Sequence, residues 1–460
     1  MFKRPPSRTE LPEQLFETIR EKYPARIGDY LSFYKPLDAK GRYLPFDEFR
    51  HRVPAGLDEK LAWAVTKLSR SSQYLKLLPV GAPPQECAFI LTPLMQKTIS
   101  QTDRHATTAA LEWMSSKIGE EKHFEYLLND LINDEAISSS QLEGAATTTL
   151  IAKDMLKRKR KPRTPDEKMI LGNFRMMNFA WENRHQPLSI ELIRELHKVG
   201  VEGIDDDKYK PGVFRQTDDV VVVDSEGETV HTPPPSSGIR ERLKKVAAWI
   251  NTSHEDHDSS DYIHPLIKAI ALHFSIGYEH PFRDGNGRVA RSLFYWFMFK
   301  HDYAAFRYIA ISVLLKAAPV KYGKSYLYTE SDELDLTYFA EYQCHVILRA
   351  ISSFKLAYQK SLEDIEAFTS WLWTSGLYKA LNEKQKIIFQ VARSGGERLF
   401  TASSVRENLG CSYNTASAAL NGLTELNIFR KEKIGREWVF SMLPGKEIRE
   451  KFRADRSRAS

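Results

Sequence analysis

The sequence predicts a mainly helical protein that ends in a small module of three helices and a β-hairpin. Three observations carry that prediction. Apolar residues recur at three- and four-residue steps through LDEKLAWAVTKLSR, TTAALEWMSSKI, FEYLLNDLINDEAI and HPLIKAIALHFSIGYEH, the period of helices with one buried face. The period breaks once in mid-chain: Val220 to Val223 is a β-branched run, Ser225-Glu226-Gly227 offers a turn, and Glu228 to Thr232 returns towards Pro233-Pro234-Pro235. That is a hairpin set among helices. From about residue 381 the texture changes again. NEKQKIIFQVA, TASSVRENL capped by Thr401, and YNTASAALNGLTEL read as helices, and IFRKEKIGREWVFSM as two strands about Ile434-Gly435.

The predicted organisation follows in chain order. Residues 1–80, rich in Pro and Arg, form an irregular or helical segment packed on the core. Residues 81–200 continue the helical series that begins near residue 57, 201–350 hold the hairpin and the chemistry, and 351–380 are a helical linker. Residues 381–445 make a winged helix-turn-helix and 446–460 a basic tail. A length of 460 residues suits about three domains, and 42% hydrophobic with 27% charged residues is ordinary globular composition. The net charge of +6 is concentrated: residues 381–460 hold fifteen Lys and Arg against nine Asp and Glu. Such a footprint suits DNA binding through residues 401–440, with Tyr413, Asn414 and Thr415 opening the recognition helix and Arg430, Lys431, Lys433 and Arg436 on the wing. Cys87, Cys344 and Cys411 are too far apart for a thiolate metal site or a redox pair, so a reducing compartment is expected. The N-terminal MFKRPPSRTELPEQ lacks the apolar stretch of a secretion signal. The aromatic run Leu293–Phe299 is stopped by Arg291 and Lys300. A cytoplasmic protein with no membrane partner is expected.

The chemistry concentrates in His280-Pro281-Phe282-Arg283-Asp284-Gly285-Asn286-Gly287-Arg288-Val289-Ala290-Arg291. Gly285, Asn286 and Gly287 at a helix start leave backbone amides unshielded, and the helix dipole adds positive potential, which makes an anion nest suited to phosphates. Arg288 and Arg291, three apart, reach one polyanion from one helix face. Asp284 is a hard oxygen ligand for Mg2+ shared with substrate phosphates. His280 stands beside them as a general base. The plain alternative is a Gly-rich helix start with salt bridges and a capping histidine.

Taken whole, the string resembles the signature of the Fic family, His-Pro-Phe-x-Asp/Glu-Gly-Asn-Gly/Lys-x-x-Arg, with every specified position filled. Upstream, Ser139-Ser140-Gln141-Leu142-Glu143-Gly144 is similar to that family's inhibitory motif. The resemblance implies a helical Fic core over roughly residues 80–350, with the Val220, Val221, Val222, Val223 hairpin as a flap that aligns a target segment by strand addition. It implies that Glu143, in a motif with Ser139 and Gly144, pairs with Arg291 and blocks the γ-phosphate of ATP. It also implies AMP transfer from ATP, with Mg2+, to a Ser, Thr or Tyr hydroxyl of a target protein, His280 being the base. Gly287, where phosphorylating members resemble one another in having Lys, favours nucleotidyl transfer. The resemblance thins after the signature, where Pro319, Lys321, Tyr322 and Gly323 stand in place of an Arg before a Tyr-Tyr pair. Self-modification and a homodimer are compatible with this expectation. The alternative is a DNA-binding regulator whose Fic core senses nucleotide or modifies only itself.

Three other features carry plain expectations. His254-Glu255-Asp256-His257-Asp258 lacks the helical spacing of a zinc pair and reads as a solvated linker. His264 and His273 read as structural. The run Lys157 to Arg163 reads as a solvated face, with nucleic acid as the lesser option.

Overall fold

A computed structural model describes all residues except 1, 8–10, 13, 119–120, 207, 224–228, 255–261, 395–398, 435–436, 445–446 and 449–460. Helices α1 (Leu15–Lys22), α2 (Ile27–Leu31), α3 (Phe46–Phe49) and α4 (Glu59–Ser71) enclose an apolar cluster of their own around Ile19, Tyr30, Phe46 and Trp63. α4 begins where the Asp58 side chain accepts from the Lys60 and Leu61 amides. A buried polar network ties this segment to the rest. Arg70 donates to the Tyr338 hydroxyl (2.8 Å), the Leu44 carbonyl (2.9 Å) and the Pro36 carbonyl (3.2 Å), and lies 3.7 Å over the Tyr43 ring. Tyr43 and Tyr74 donate to Asp335 (2.5 and 2.7 Å), and Lys67 Nζ lies 3.0 Å from Asp332.

The helical period expected from residue 57 onward is interrupted by an antiparallel hairpin, β1 (Leu75–Val80) and β2 (Gln85–Phe89). Gly81-Ala82-Pro83-Pro84 stops any helix, since each proline removes an amide donor. Leu78 and Val80 of β1 and Cys87 and Phe89 of β2 are buried in the central core. Then follow α5 (Pro93–His105), α6 (Thr108–Ile118), α7 (Glu121–Leu142), α8 (Thr149–Lys157), α9 (Pro165–Glu182) and α10 (Ile190–Val201). The mid-chain hairpin forms from β3 (Val222–Val223) and β4 (Thr229–His231), with Val222 opposite His231 and Val223 opposite Thr229. The Ser225-Glu226-Gly227 turn lies outside the described residues.

Beyond it lie α11 (Ile239–Asn251), α12 (Pro265–Glu279), α13 (Asn286–Lys300), α14 (Ser312–Ala317), α15 (Pro319–Ser331) and α16 (Thr337–Ser375). Side chains of α12 are buried from Pro265 to Ile276, and those of α13 from Arg288 to Phe299. A helix apolar all round sits in the middle of a core, so these two helices are the axis on which the others pack. The break expected at residue 350 falls inside α16, one uninterrupted helix. The C-terminal residues form α17 (Glu383–Ser394), α18 (Ala402–Leu409), α19 (Tyr413–Glu425) and the hairpin β5 (Phe429–Ile434) and β6 (Glu437–Met442), over a core that includes Val405, Leu420 and Phe440. Tyr126 of α7 joins that core, so α7 is shared by the module and the central helices. The protein is mainly helical. Among the described residues no helix is long and apolar enough to cross a membrane.

Candidate active site

The turn between α12 and α13 is shaped by its own residues. α12 ends because His280 takes a left-handed conformation (φ 45°) ahead of Pro281, a conformation that costs a non-glycine residue energy and persists only where its surroundings fix it. Arg215 does much of that fixing: its backbone amide donates to the Pro281 carbonyl and its Nε to the His280 carbonyl, both at 2.9 Å. Glu279 is fully buried, accepting from the Gly81 amide (2.7 Å) and from Arg242 (2.6 Å). Gly285 caps α13 at φ 84°, which only glycine adopts without strain.

Asn286 turns its side chain back to the loop. Its Oδ1 accepts from the Phe282 amide (2.9 Å) and its Nδ2 donates to the Phe282 carbonyl (2.8 Å). The side-chain amide therefore clamps the turn, and only the backbone amide of Asn286 is left for a ligand. With the amides of Gly287 and Arg288 it opens the first turn of α13, where a helix has no internal acceptors to offer.

The two arginines differ. Arg291 donates from Nε to Ser139 Oγ (2.8 Å) and from Nη2 to the Ser139 carbonyl (3.1 Å) and Glu143 Oε1 (2.8 Å), while among the described residues its buried Nη1 has no hydrogen-bond partner. Arg288 donates to the Gly200 carbonyl (3.2 Å), and among the described residues its buried Nε and Nη2 have no partner. Buried guanidinium donors are rarely left this way, because each costs its full desolvation. These atoms are built for an anion. Glu143 reaches Arg291 from just past the end of α7, where Gly144 (φ 98°) and the Ala145 amide donating to the Ser140 carbonyl close the helix. It passes directly over Gly287: a Cβ there would stand 2.2 Å from Glu143 Oε1.

His280 is half-buried. Burial, reinforced by His231 and Arg215, holds its conjugate acid at about 4, and the Gly277 carbonyl opposes this only in part. That carbonyl, 3.3 Å from Nδ1, can only accept, so the ring proton sits on Nδ1 and Nε2 keeps a free lone pair. The ring is a neutral base at pH 7. The adjoining wall is aromatic: Tyr322 and Tyr326 pack edge to face, His273 meets the Tyr322 hydroxyl at 2.8 Å, and Tyr326 leaves no room for a side chain at Gly277.

Asp284 Oδ1 accepts from the Gly285 amide (2.5 Å) and Oδ2 lies 3.1 Å from Lys208 Nζ. Among the described residues no three His, Cys, Asp or Glu side chains gather to hold a metal by themselves. One carboxylate beside an anion nest fits a cation shared with phosphates, as Mg2+ is usually bound. His197, which the sequence did not single out, supports this carboxylate. The Gly212 amide donates to its Nδ1 (3.0 Å), so Nε2 carries the proton and donates to the Asp284 carbonyl (3.0 Å), and its ring stacks on Phe282 at 3.8 Å. Burial holds His197 at about 4 as well. Nothing but its place on the α10 core face could have flagged it, whereas Arg215, directly before the hairpin in GVFR, carried some signal.

The structure therefore brings Ser139, Glu143, His280, Asp284, Gly285, Gly287, Arg288 and Arg291 together. Of the flap valines, Val222 and Val223 lie in β3, and Val220 and Val221 precede it, Val221 being exposed. The hairpin is tied down by His231, whose Nε2 meets the Tyr278 carbonyl (2.8 Å) and Nδ1 Glu330 (2.7 Å), and by Arg283 on Asp219 (2.9 Å). Gly144 closes the helix rather than facing the site. His264 caps α12, accepting from the Leu266 amide. His254 lies 3.0 Å from Lys268 Nζ, and residues 255–258 of that polar stretch, like Arg436 and residues 449–460 of the tail, are outside the described residues. The basic run is used internally: Arg158 pairs with Asp154, Arg160 with Glu167, and Lys159 with Glu407 of α18. On the module, Tyr413 is exposed, and Lys431 lies over Trp438 at 4.5 Å while donating to Asn421.

Residues 187–298 match the Fic/DOC family model. Over 126 residues the chain is 31% identical to a protein adenylyltransferase Fic of Drosophila grimshawi, covering 27% of this chain and 23% of that protein. It is 25% identical over 123 residues to a uridine 5'-monophosphate transferase of Xanthomonas campestris pv. campestris (strain 8004), covering 26% and 23%. The matches thus span less than a quarter of the length of either relative. A crystal structure of a Fic family protein from Desulfovibrio desulfuricans G20 aligns with a TM-score of 0.46 at 15% identity, over 76% of this chain and 96% of that one. The matched stretch, residues 187–298, contains His197, the flap and the His280–Arg291 turn, and it is this part of the chain that is similar to the Fic/DOC family.

Proposed function

We propose that this protein is an auto-inhibited protein adenylyltransferase, moving AMP from ATP to a Ser, Thr or Tyr hydroxyl of a target protein. The observation that carries this reading is the set of unpartnered, buried Arg288 and Arg291 donors beside the free amides of α13 and a neutral histidine. His280 Nε2 takes the hydroxyl proton as that oxygen attacks the α-phosphorus. The bond from the α-phosphorus to the bridging oxygen breaks and pyrophosphate leaves with the electron pair. The α13 amides and the two guanidinium groups bear the charge that develops on the phosphate oxygens. Asp284 Oδ2 would hold Mg2+, which when bound supplies further charge neutralisation. The edge of β3 offers main-chain pairing to the target segment. Glu143 inhibits by occupying the Nη2 of Arg291, which is then denied to the γ-phosphate.

The relatives named above differ in the nucleotide their names specify, and the α-phosphorus chemistry is common to both. The test is transfer of label to protein from ATP marked at the α or the γ phosphate, with self-modification as the minimal readout. Label is expected from the α position alone. It should rise in Glu143→Gly and fall by a factor of about 10^2–10^4 when His280→Ala is added, the usual worth of a positioned base. Label from the γ position would overturn the assignment of reaction type.

A further inference from the structure

The contacts of Asp284 are of two kinds. Its carbonyl and Oδ1 are held by His197 and by the Gly285 amide, bonds that belong to the turn itself. Oδ2 instead faces Lys208 Nζ at 3.1 Å, a side chain 50% exposed on the loop after α10. An ammonium thus rests on the oxygen best placed to bind a cation. Lys208 is also 3.8 Å from Asp206 and lies 4.9 Å over the Tyr209 ring, which is itself 5.5 Å from the Arg288 guanidinium. Beside it is a cavity of 130 Å³ whose wall includes Lys208, Lys210, Arg215 and Arg283, a concentration of positive charge next to the anion nest.

We propose that Lys208 is a further phosphate-binding residue, resting on Asp284 in the nucleotide-free protein and passing to a phosphate oxygen when Asp284 turns to a divalent cation. Two like charges cannot share one carboxylate oxygen without repulsion. A lysine is suited to the exchange, being a compact charge on a flexible stem, whereas the buried guanidinium groups are fixed. The consequence is a competition. Lys208 raises the Mg2+ concentration needed to fill the site and, once displaced, strengthens the hold on the nucleotide.

The inference rests on the nucleotide-binding reading above, and equilibrium binding of α,β-methylene-ATP, which cannot transfer AMP, separates the two. Binding is measured with EDTA and across a Mg2+ titration for the parent protein, Lys208→Met and Lys208→Arg. Lys208→Met is expected to weaken binding at saturating Mg2+ about tenfold, the scale of one charge-assisted hydrogen bond, and to leave binding in EDTA nearly unchanged. It should also lower the half-saturating Mg2+ concentration about threefold, as for loss of an exposed ion pair. Lys208→Arg should retain the affinity at saturating Mg2+. Either change without the other, or neither, overturns the proposal while leaving the nucleotide site standing. A parent protein that binds no analogue under any condition overturns both. Unchanged thermal unfolding of the variants is the check that the turn is intact.

Discussion

Two regions bury arginines to about the same depth and treat them in opposite ways. At the junction of the N-terminal segment and the core, Arg70 is 1% exposed, donates to Tyr338, Leu44 and Pro36, and is covered by the Tyr43 ring. At the turn between α12 and α13, Arg288 and Arg291 are equally buried, yet Nε and Nη2 of the first and Nη1 of the second have no hydrogen-bond partner among the described residues. The difference teaches how to separate structure from site. A cation whose bonds are closed by its own chain holds elements together, and one left open awaits a ligand.

The most forceful way to break that comparison is to exchange its terms. Arg70→Leu strands buried carbonyls and hydroxyls, so denaturant resistance should fall by about 3–5 kcal/mol, the usual loss when a buried polar network loses its charged partner. Arg288→Met should cost less than about 1 kcal/mol, because the arginine it replaces is itself unsatisfied, while nucleotide binding is lost. Equal destabilisation of the two variants in urea titrations would erase the distinction.

A finer cut falls within the site. Gly287→Ala places a methyl where Glu143 now passes, and the long glutamate can move away more easily than the helix. Arg291 is then released, and α-label transfer should rise about tenfold, as for loss of one charge-assisted bond. Added to Glu143→Gly, the same change should do nothing. If it lowers transfer in both chains, the closeness at Gly287 serves the nucleotide and not the glutamate.

The smallest effect is electrostatic. His197 and His280 are held at about 4 against an ordinary 6.5, so between these values the unfolded chain binds protons that the native protein refuses. Stability must then fall as pH drops from about 6.5 towards 4. The junction contributes no such slope through its cations, since Lys67 and Arg70 are shifted upward, away from that window. His197→Gln should flatten the fall in unfolding free energy over pH 4–7, read from urea titrations, by less than about 1.4 kcal/mol per pH unit. An unchanged profile would place the acid sensitivity elsewhere.

Some of this was legible before any coordinates. The helical periods, the mid-chain hairpin and the string from His280 to Arg291 are local, because repeat distance and turn chemistry act over a few residues. The β1–β2 hairpin was missed: LKLLPV and QECAF are too short to reveal their period, and only Gly81 to Pro84 hinted at a turn. The helical linker expected over 351–380 is continuous with the helix before it as α16, a continuity that depends on packing along its length. Asn286 shows the limit within the site, since the pattern along the chain pointed to its backbone amide and gave no sign that its side chain closes the turn on the Phe282 backbone.

What the sequence by itself determined is the chemistry on offer: a base, a carboxylate, a glycine-lined helix start and two arginines, adjacent in one turn. Tertiary structure alone decided the state of each group. Ser139 and Glu143 lie about 150 residues before Arg291 in the chain and meet it at 2.8 Å, and Lys208 is brought to Asp284 across the whole flap. Hydrogen bonds, burial and charge pairing depend on distance in space. No pattern along the chain records which donors will close and which will stay open.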